Sequence, residues 1–320
     1  MSVVTHNRAI VPAIWPGDLG RPNTSAFTLQ VTDDWRYIPE TFDGICDWAT
    51  VTSEDDESHE YTERRHLVYL SSVLPESLQN TMFHVTIVLQ GFLGDFNISV
   101  LGNWKKREKT VAAAMQFMRL ESGGPNEAFA AQVRALQNIR DFIVAKVGGD
   151  LNARDLQADS IFLQRQVFTK VRPYGDQASG IRLSNVTDPG GHARKISNRW
   201  KVDHIIQTGA RRANGKNMDI AHTALRRGDF VEVSVFADIH VLRRKTRPLT
   251  LVNFAMKEVV KLWSAEECKM RVVLTVENTQ NRFTRTDLTA KEQTIRSAKV
   301  HAMPSVFQIG GPREEAMEVA

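Results

Sequence analysis

Residues 228–263 read GDFVEVSVFADIHVLRRKTRPLTLVNFAMKEVVKLW. Val231, Val233, Val235, Ala237, Ile239 and Val241 are apolar at every second place, while Glu232, Ser234, Asp238 and His240 fill places between them. A period of two is that of a strand with one face turned inward. Arg243, Arg244, Lys245, Thr246, Arg247 and Pro248 interrupt it, and a second apolar run begins at Leu249 with Leu251, Val252, Phe254 and Met256. The stretch predicts a long strand, a strongly basic loop and a returning strand. Its last part, 255–263, fits a strand or a helix, because Met256, Val259, Val260 and Trp263 also share one side of a helix.

Outward from this pair, Leu67 to Val73 is a short apolar run that suggests a strand. Phe83, Val85, Ile87 and Leu89 alternate, and Phe96, Ile98 and Val100 alternate again after Gly91 to Gly94, which predicts a hairpin. The period then changes to 3.6. Val111, Met115 and Met118 share one side of Lys105 to Leu120, and Phe129, Val133, Leu136, Ile143 and Val147 share one side of Asn126 to Val147, with Gly148 and Gly149 beyond. Two helices are expected. Further on, strands are expected at Ile161 to Val171, around Trp200 to Ile206 and at Met270 to Val276, with a basic loop over Gly209 to Asn217 and a short polar helix over Leu288 to Val300.

These readings add up to an α+β, β-rich chain with an N-terminal sheet, a central helical pair and a C-terminal antiparallel, barrel-like sheet. The expected division is an irregular arm over 1–26, an α+β domain over 27–150 with an acidic loop at 53–63, a basic β-rich domain over 151–303 and a tail over 304–320.

Composition narrows the class. With 320 residues and 42% hydrophobic content the chain has enough apolar surface for real cores. Cys46 and Cys268 are too few for a disulfide framework or a thiolate zinc site, which favours a reducing compartment. No charged start precedes an apolar core, and no apolar run approaches the roughly 18 residues of a membrane span. The expectation is an intracellular protein of the nucleus or cytoplasm with no membrane partner.

The net charge of +4 conceals a division. From Val31 to Arg65 there are 11 acids against 3 bases, a net of −8; from Ile161 to Thr250 there are 17 bases against 7 acids, a net of +10. Such asymmetry predicts an acidic arm and a basic body. Motifs for chemistry are missing beside it. Gly209, Gly215 and Lys216 resemble a phosphate loop, but five residues separate the glycines and Asn217 stands where Ser or Thr would hold magnesium. No GxGxxG, HExxH, GxSxG or CxxC is found. His84 has no Asp, Cys or second His close in sequence and reads as a surface residue. No enzyme, cofactor or metal is expected.

What remains is cationic. Basic residues recur in four clusters: Arg194, Lys195, Arg199 and Lys201; Arg211, Arg212 and Lys216; Arg226 and Arg227; and Arg243, Arg244, Lys245 and Arg247. Aromatic residues lie among them. Single-stranded nucleic acid needs this combination, because cations neutralise phosphates while aromatic faces stack on unpaired bases. Phe230 and Phe236 lie on the more polar face of the first long strand, where they are a stacking platform if exposed and core if a second layer covers them.

Arg227-Gly228-Asp229-Phe230-Val231-Glu232-Val233, followed by a basic loop and a second strand ending near Leu262, resembles the later strands of OB-fold modules in single-strand-binding proteins. The resemblance spans about 40 of the 320 residues. It implies a clamp loop at Arg243, Arg244, Lys245 and Arg247 and a stacking face at Phe230 or Phe236. The expected function is binding of single-stranded DNA or RNA with little sequence specificity, carried by those residues together with Arg211, Arg212, Lys216, Arg226 and Arg227. The alternative is a self-assembling coat or scaffold protein. In that reading the acidic segment of one copy meets the basic face of another to form a homo-oligomer, and Val306, Phe307 and Ile309 dock on a neighbour.

Overall fold

In the computed structural model, which describes residues 1–21, 33–53, 62–124, 126–151, 156–171, 180–242 and 248–271, the quoted stretch is an antiparallel pair of long strands, Phe230–Leu242 and Leu249–Trp263. Residues 255–263 are strand: Val259 pairs with Val233 on one side and Thr208 on the other. With both edges satisfied and both faces largely covered, the apolar residues there lose the clean alternation that marks a half-buried strand.

In chain order the strands are β1 (Ser2–His6), β2 (Ala9–Ile10), β3 (Tyr37–Ile38), β4 (Ala49–Ser53), β5 (Thr62–Tyr69), β6 (Thr86–Asn97), β7 (Met115–Glu121), β8 (Asp150–Leu151) and β9 (Ser160–Gln166). There follow β10 (Thr169–Lys170), β11 (Trp200–Lys201), β12 (Gln207–Arg211), β13 (Asn217–Asp219) and the long pair β14 and β15. The helices described at both ends are α1 (Val11–Ile14), α2 (Phe42–Trp48), α3 (Glu127–Val147) and α4 (His192–Lys195), and 265–271 is also helical.

One sheet takes strands from both halves of the chain. Its main path is β13-β12-β15-β14-β6-β1-β2, with β5 beside the second half of β14, β4 beside β5, β7 beside β6 and β9 beside β7. Residues Met1–Val272 form one compact unit. The chain is α+β and rich in strands, and its large sheet is open: among the described residues no barrel closes. The curl from β14 through β6 and β7 brings β9 back towards β15, but side chains bridge them. Gln164 Nε2 donates to Asn253 Oδ1 at 2.6 Å and Arg165 Nη1 to the Met256 carbonyl at 2.9 Å.

The 21-residue α3 is the helix that the 3.6 period predicts over 126–147. Asn126 caps it, its Oδ1 accepting from the Phe129 amide at 2.6 Å, and Gly148 ends it at φ +80°, where a β-carbon is disfavoured. It lies against β1, β6 and β15, burying Phe129, Leu136, Ile139 and Ile143 in the main core with Leu89, Val233, Val235 and Phe254.

Four expectations fail. The helix over 105–120 is β7 preceded by a loop, because its apolar residues serve two cores: Met118 joins the main one, while Val111 packs with Trp104, Phe168 and Val202 in a smaller one. The hairpin at 91–94 is the uninterrupted strand β6. The start of the chain is ordered, with β1 joining β6 and β3 in parallel. The basic loop over 209–217 is largely the β12–β13 hairpin, closed by a turn in which Arg212 N donates to the Lys216 carbonyl. The acidic segment 54–60, the strand expected over 270–276 beyond Arg271, the helix over 288–300 and the tail lie outside the described residues. Met270 and Arg271 themselves are helical.

Candidate nucleic-acid interface

Two of the basic clusters meet at one end of the long pair. Parallel pairing of β12 with β15 sets Ala210 beside Lys261, and antiparallel pairing of β14 with β15 sets Phe230 beside Trp263. The turn before β14 closes on the same place, since Lys261 Nζ donates to the Ala224 carbonyl at 3.2 Å and lies 3.6 Å from Asp229 Oδ2. Asp229 is buried and holds this turn together: its carboxylate accepts from the Arg226 amide at 2.9 Å and from the Ala265 amide at 3.1 Å. The Gly-Asp pair is therefore a structural staple. Gly228 at φ +87° leads into it.

The cations at this end differ in availability. Arg211 is 8% exposed and is consumed internally, with Nη2 donating to Glu232 Oε1 at 2.7 Å and Nε to Asn217 Oδ1 at 3.0 Å. Glu232 in turn accepts from Gln90 Nε2 at 2.9 Å. Arg212, Lys216 and Arg226 are exposed. Arg227 is 69% exposed, with a loose 3.4 Å ion pair to Asp95. A cleft of about 260 Å³ opens between the hairpin and the end of β15, lined by Arg211, Arg212, Lys261, Trp263 and Glu267 among others. Hydrogen bonds from the Ser264 amide and hydroxyl hold the Glu267 carboxyl below its ordinary range. Lys261 and Trp263 are the residues at this end that sequence reasoning missed. Their signal was slight, because both sit inside a run that reads as strand.

The proposed stacking platform is not available. Phe230 is fully buried, its ring 4.8 Å from Trp15 and 5.1 Å from Phe92 in edge-to-face contacts. Phe236 is half-buried, with the Arg165 guanidinium 5.3 Å from its ring centre. Burial lowers the Arg165 pKa to about 10, against the opposing pull of Asp203 and Asp238. Trp15 and Phe92 cover Phe230, and Arg165 of β9 covers Phe236; these are contacts between distant parts of the chain that alternation does not reveal. Arg243, Arg244, Lys245 and Arg247 lie outside the described residues. Their flanks Leu242 and Leu249 pair at the far end of β14 and β15 from the hairpin.

The same covered face carries a polar network. Asp238, 5% exposed, accepts from Arg64 Nε at 3.0 Å, and His240 Nε2 lies 3.2 Å from its other oxygen. Desolvation pushes the Asp238 carboxyl up, but His240 and Arg64 outweigh it and the net shift is strongly downward. Nearby, His204 bridges Asp203 at 2.9 Å and Gln116 at 3.0 Å, and Thr169 donates to Asp203 at 2.9 Å. The His204 hydrogen bond, helped by Thr169 and opposed by desolvation, brings Asp203 to about 2. His84 is exposed but not solitary: its ring is 4.5 Å from that of His66 on β5. Among the described residues no group of three or more His, Cys, Asp or Glu is placed to hold a metal ion, and no helix is long and apolar enough to cross a membrane.

No protein-family model matches this chain, and neither does any curated protein or solved structure.

Proposed function

We propose that the chain binds nucleic acid, single-stranded DNA or RNA, with little sequence specificity and chiefly through its phosphates. The observation that carries this reading is the junction of β12, β14 and β15, where Arg212, Lys216, Arg226 and Arg227 gather as exposed cations around Lys261. Phosphate contacts supply affinity without sequence information, and with Phe230 and Phe236 covered by the chain itself they are the larger share of the binding energy. The curl that brings β9 towards β15 supports a barrel-like module of the OB kind, in which the Gln164 and Arg165 side chains bridge the opening where a ladder would run. The assembly reading draws on residues 54–60 and on Val306, Phe307 and Ile309, so nothing in the described fold favours it.

The test is a labelled oligonucleotide titrated with wild-type protein and with the Arg212→Ala, Lys216→Ala, Arg226→Ala, Arg227→Ala quadruple variant across a range of salt. These side chains lie at the surface, so the variant folds. On a single strand, losing four phosphate contacts reduces the slope of log K against log salt by about 3, and it weakens binding most at low salt. Equal affinities and equal slopes would remove the proposal.

A further inference from the structure

The covered polar face is not sealed everywhere. A cleft of about 180 Å³ opens where β9 and the start of β7 pass over the second half of β14 and the first half of β15. It has room for about six waters at roughly 30 Å³ each. That is below the ~300–1,000 Å³ of sites for drug-sized ligands and suits one small ring system. Its walls are apolar: Ala112 and Met115 on one side, Leu242 and Leu251 on the other. Between the walls stand three carboxamides, Gln164, Gln166 and Asn253.

The hydrogen-bonding capacity of these groups is only partly used. Gln164 Nε2 donates to Asn253 Oδ1, and Gln166 Nε2 donates to the Ala112 carbonyl at 3.3 Å. Among the described residues this leaves the acceptor oxygens of Gln164 and Gln166 and the Asn253 amide donors without partners. His240 turns Nε2 to the Asp238 carboxylate, so its Nδ1 adds a further polar atom to the lining.

Charge selects the ligand. No Lys or Arg lines the cleft, and the Asp238 carboxylate does. A phosphate there would meet the Asp238 carboxylate, whose partner Arg64 is already paired with it and does not line the cleft, whereas a neutral planar heterocycle would place its faces on the aliphatic walls and its edge on the amides.

We propose that this cleft accepts a single unstacked nucleobase, held edge-on by Gln164, Gln166 and Asn253 between Met115 and the leucines. The proposal rests on the nucleic-acid reading but uses none of the four surface cations that test it. The experiment is a titration of the full chain, labelled at its methionine methyls, with adenosine, cytidine, guanosine and uridine, using ribose and inorganic phosphate as controls. The Met115 methyl, assigned with Met115→Leu, is expected to shift saturably with at least one nucleoside and with neither control. It should also show cross-relaxation to base protons. Leu251→Trp, which fills the cleft, is expected to weaken binding by tenfold or more.

Absence of a shift with every nucleoside, an equal shift with ribose, or a shift without contact to base protons would overturn the assignment even if Leu251→Trp fails to fold. The quadruple surface variant should bind nucleosides like the wild type. Salt-dependent oligonucleotide binding without a nucleoside effect therefore sinks only the base pocket, and the converse sinks only the phosphate interface. A short oligonucleotide containing the preferred base should perturb the same methyl. Failure of that arm, with nucleosides active, would mean a site for free nucleosides and would overturn recognition within a strand.

Discussion

Asp238 and Asp203 are the residues at which burial and charge pull hardest against each other. Burial alone would push the Asp238 carboxyl up; His240 and Arg64 reverse that. Asp203 is held at about 2, chiefly by His204. Both carboxyls bind a proton more weakly in the folded than in the unfolded chain. The stability they contribute is therefore complete above the unfolded carboxylate value, about 4, and is lost as pH falls through the folded values. A urea midpoint measured from pH 5 downward is expected to fall most below about pH 4, and Asp203→Asn to show a shallower fall. A variant profile that superimposes on the wild type would contradict the assignment. Asp238→Asn should cost about 1.5–3 kcal/mol even at neutral pH, since it weakens charged hydrogen bonds to a buried group. None of this was legible in the sequence. Arg64 and Asp238 lie 174 residues apart, and His204 lies 88 from Gln116. Composition counts such charges but does not pair them. Phe230 and Phe236 failed as a platform for the same reason, because exposure is decided by what folds over a residue.

Elements were legible where one period dominated and one environment applied. The first long strand was read to within a residue or two, since Val231, Val233, Val235 and Ile239 all enter one core, whereas 255–263 of its partner fitted strand and helix equally; α3 was read from Asn126 to Val147 with its terminal glycines. Glycine misled in β6. Gly91 and Gly94 resemble a turn, yet both lie inside the strand where a neighbour comes close: a β-carbon at Gly91 would sit 3.3 Å from Phe129, and one at Gly94 would sit 2.6 Å from the Glu121 carboxylate. Opposite Gly91 the strand has another need, because the Gln90 backbone faces no partner strand on its α3 side. Gln132 of α3 supplies the missing partner, its Oε1 accepting from Gln90 N at 2.6 Å and its Nε2 donating to Gln90 O at 2.9 Å. Both residues are buried. Gln132→Leu keeps the helix and the approximate volume but orphans a buried donor and a buried acceptor, at about 1–3 kcal/mol each. Chemical denaturation should show that loss with an unchanged helical signal. A change within about 0.5 kcal/mol, the range of ordinary surface substitutions, would mean that water replaces the amide.

At the scale of the whole molecule, the charge division visible in the sequence does not persist as two separate bodies. Strands β5 and β6 from the first half flank β14 from the second. Several cations of the basic half are met by acids from the first half: Arg227 by Asp95 and Arg199 by Glu108. Arg64, from the acidic half, is spent on Asp238. The surplus that remains is arranged by β14, whose 13 residues hold the 212–227 group at one end and the attachment of Arg243, Arg244, Lys245 and Arg247 at the other. At about 3.3 Å per residue these ends are roughly 40 Å apart. One strand of stacked nucleic acid advances about 3.4 Å per phosphate, so about 12 nucleotides are needed to reach from one group to the other. Affinity should therefore rise in two stages with oligonucleotide length. Up to roughly half that length a ligand engages one group, and replacing the other group by Ala leaves its binding unchanged; beyond about 12 nucleotides both groups contribute, and either replacement lowers the salt slope by about 3 for four lost contacts. A titration series from 6-mers to 20-mers against both quadruple variants measures this. Affinity that grows smoothly with length, and variants that act equally on the shortest ligands, would mean that the two groups share one surface and that β14 does not separate them.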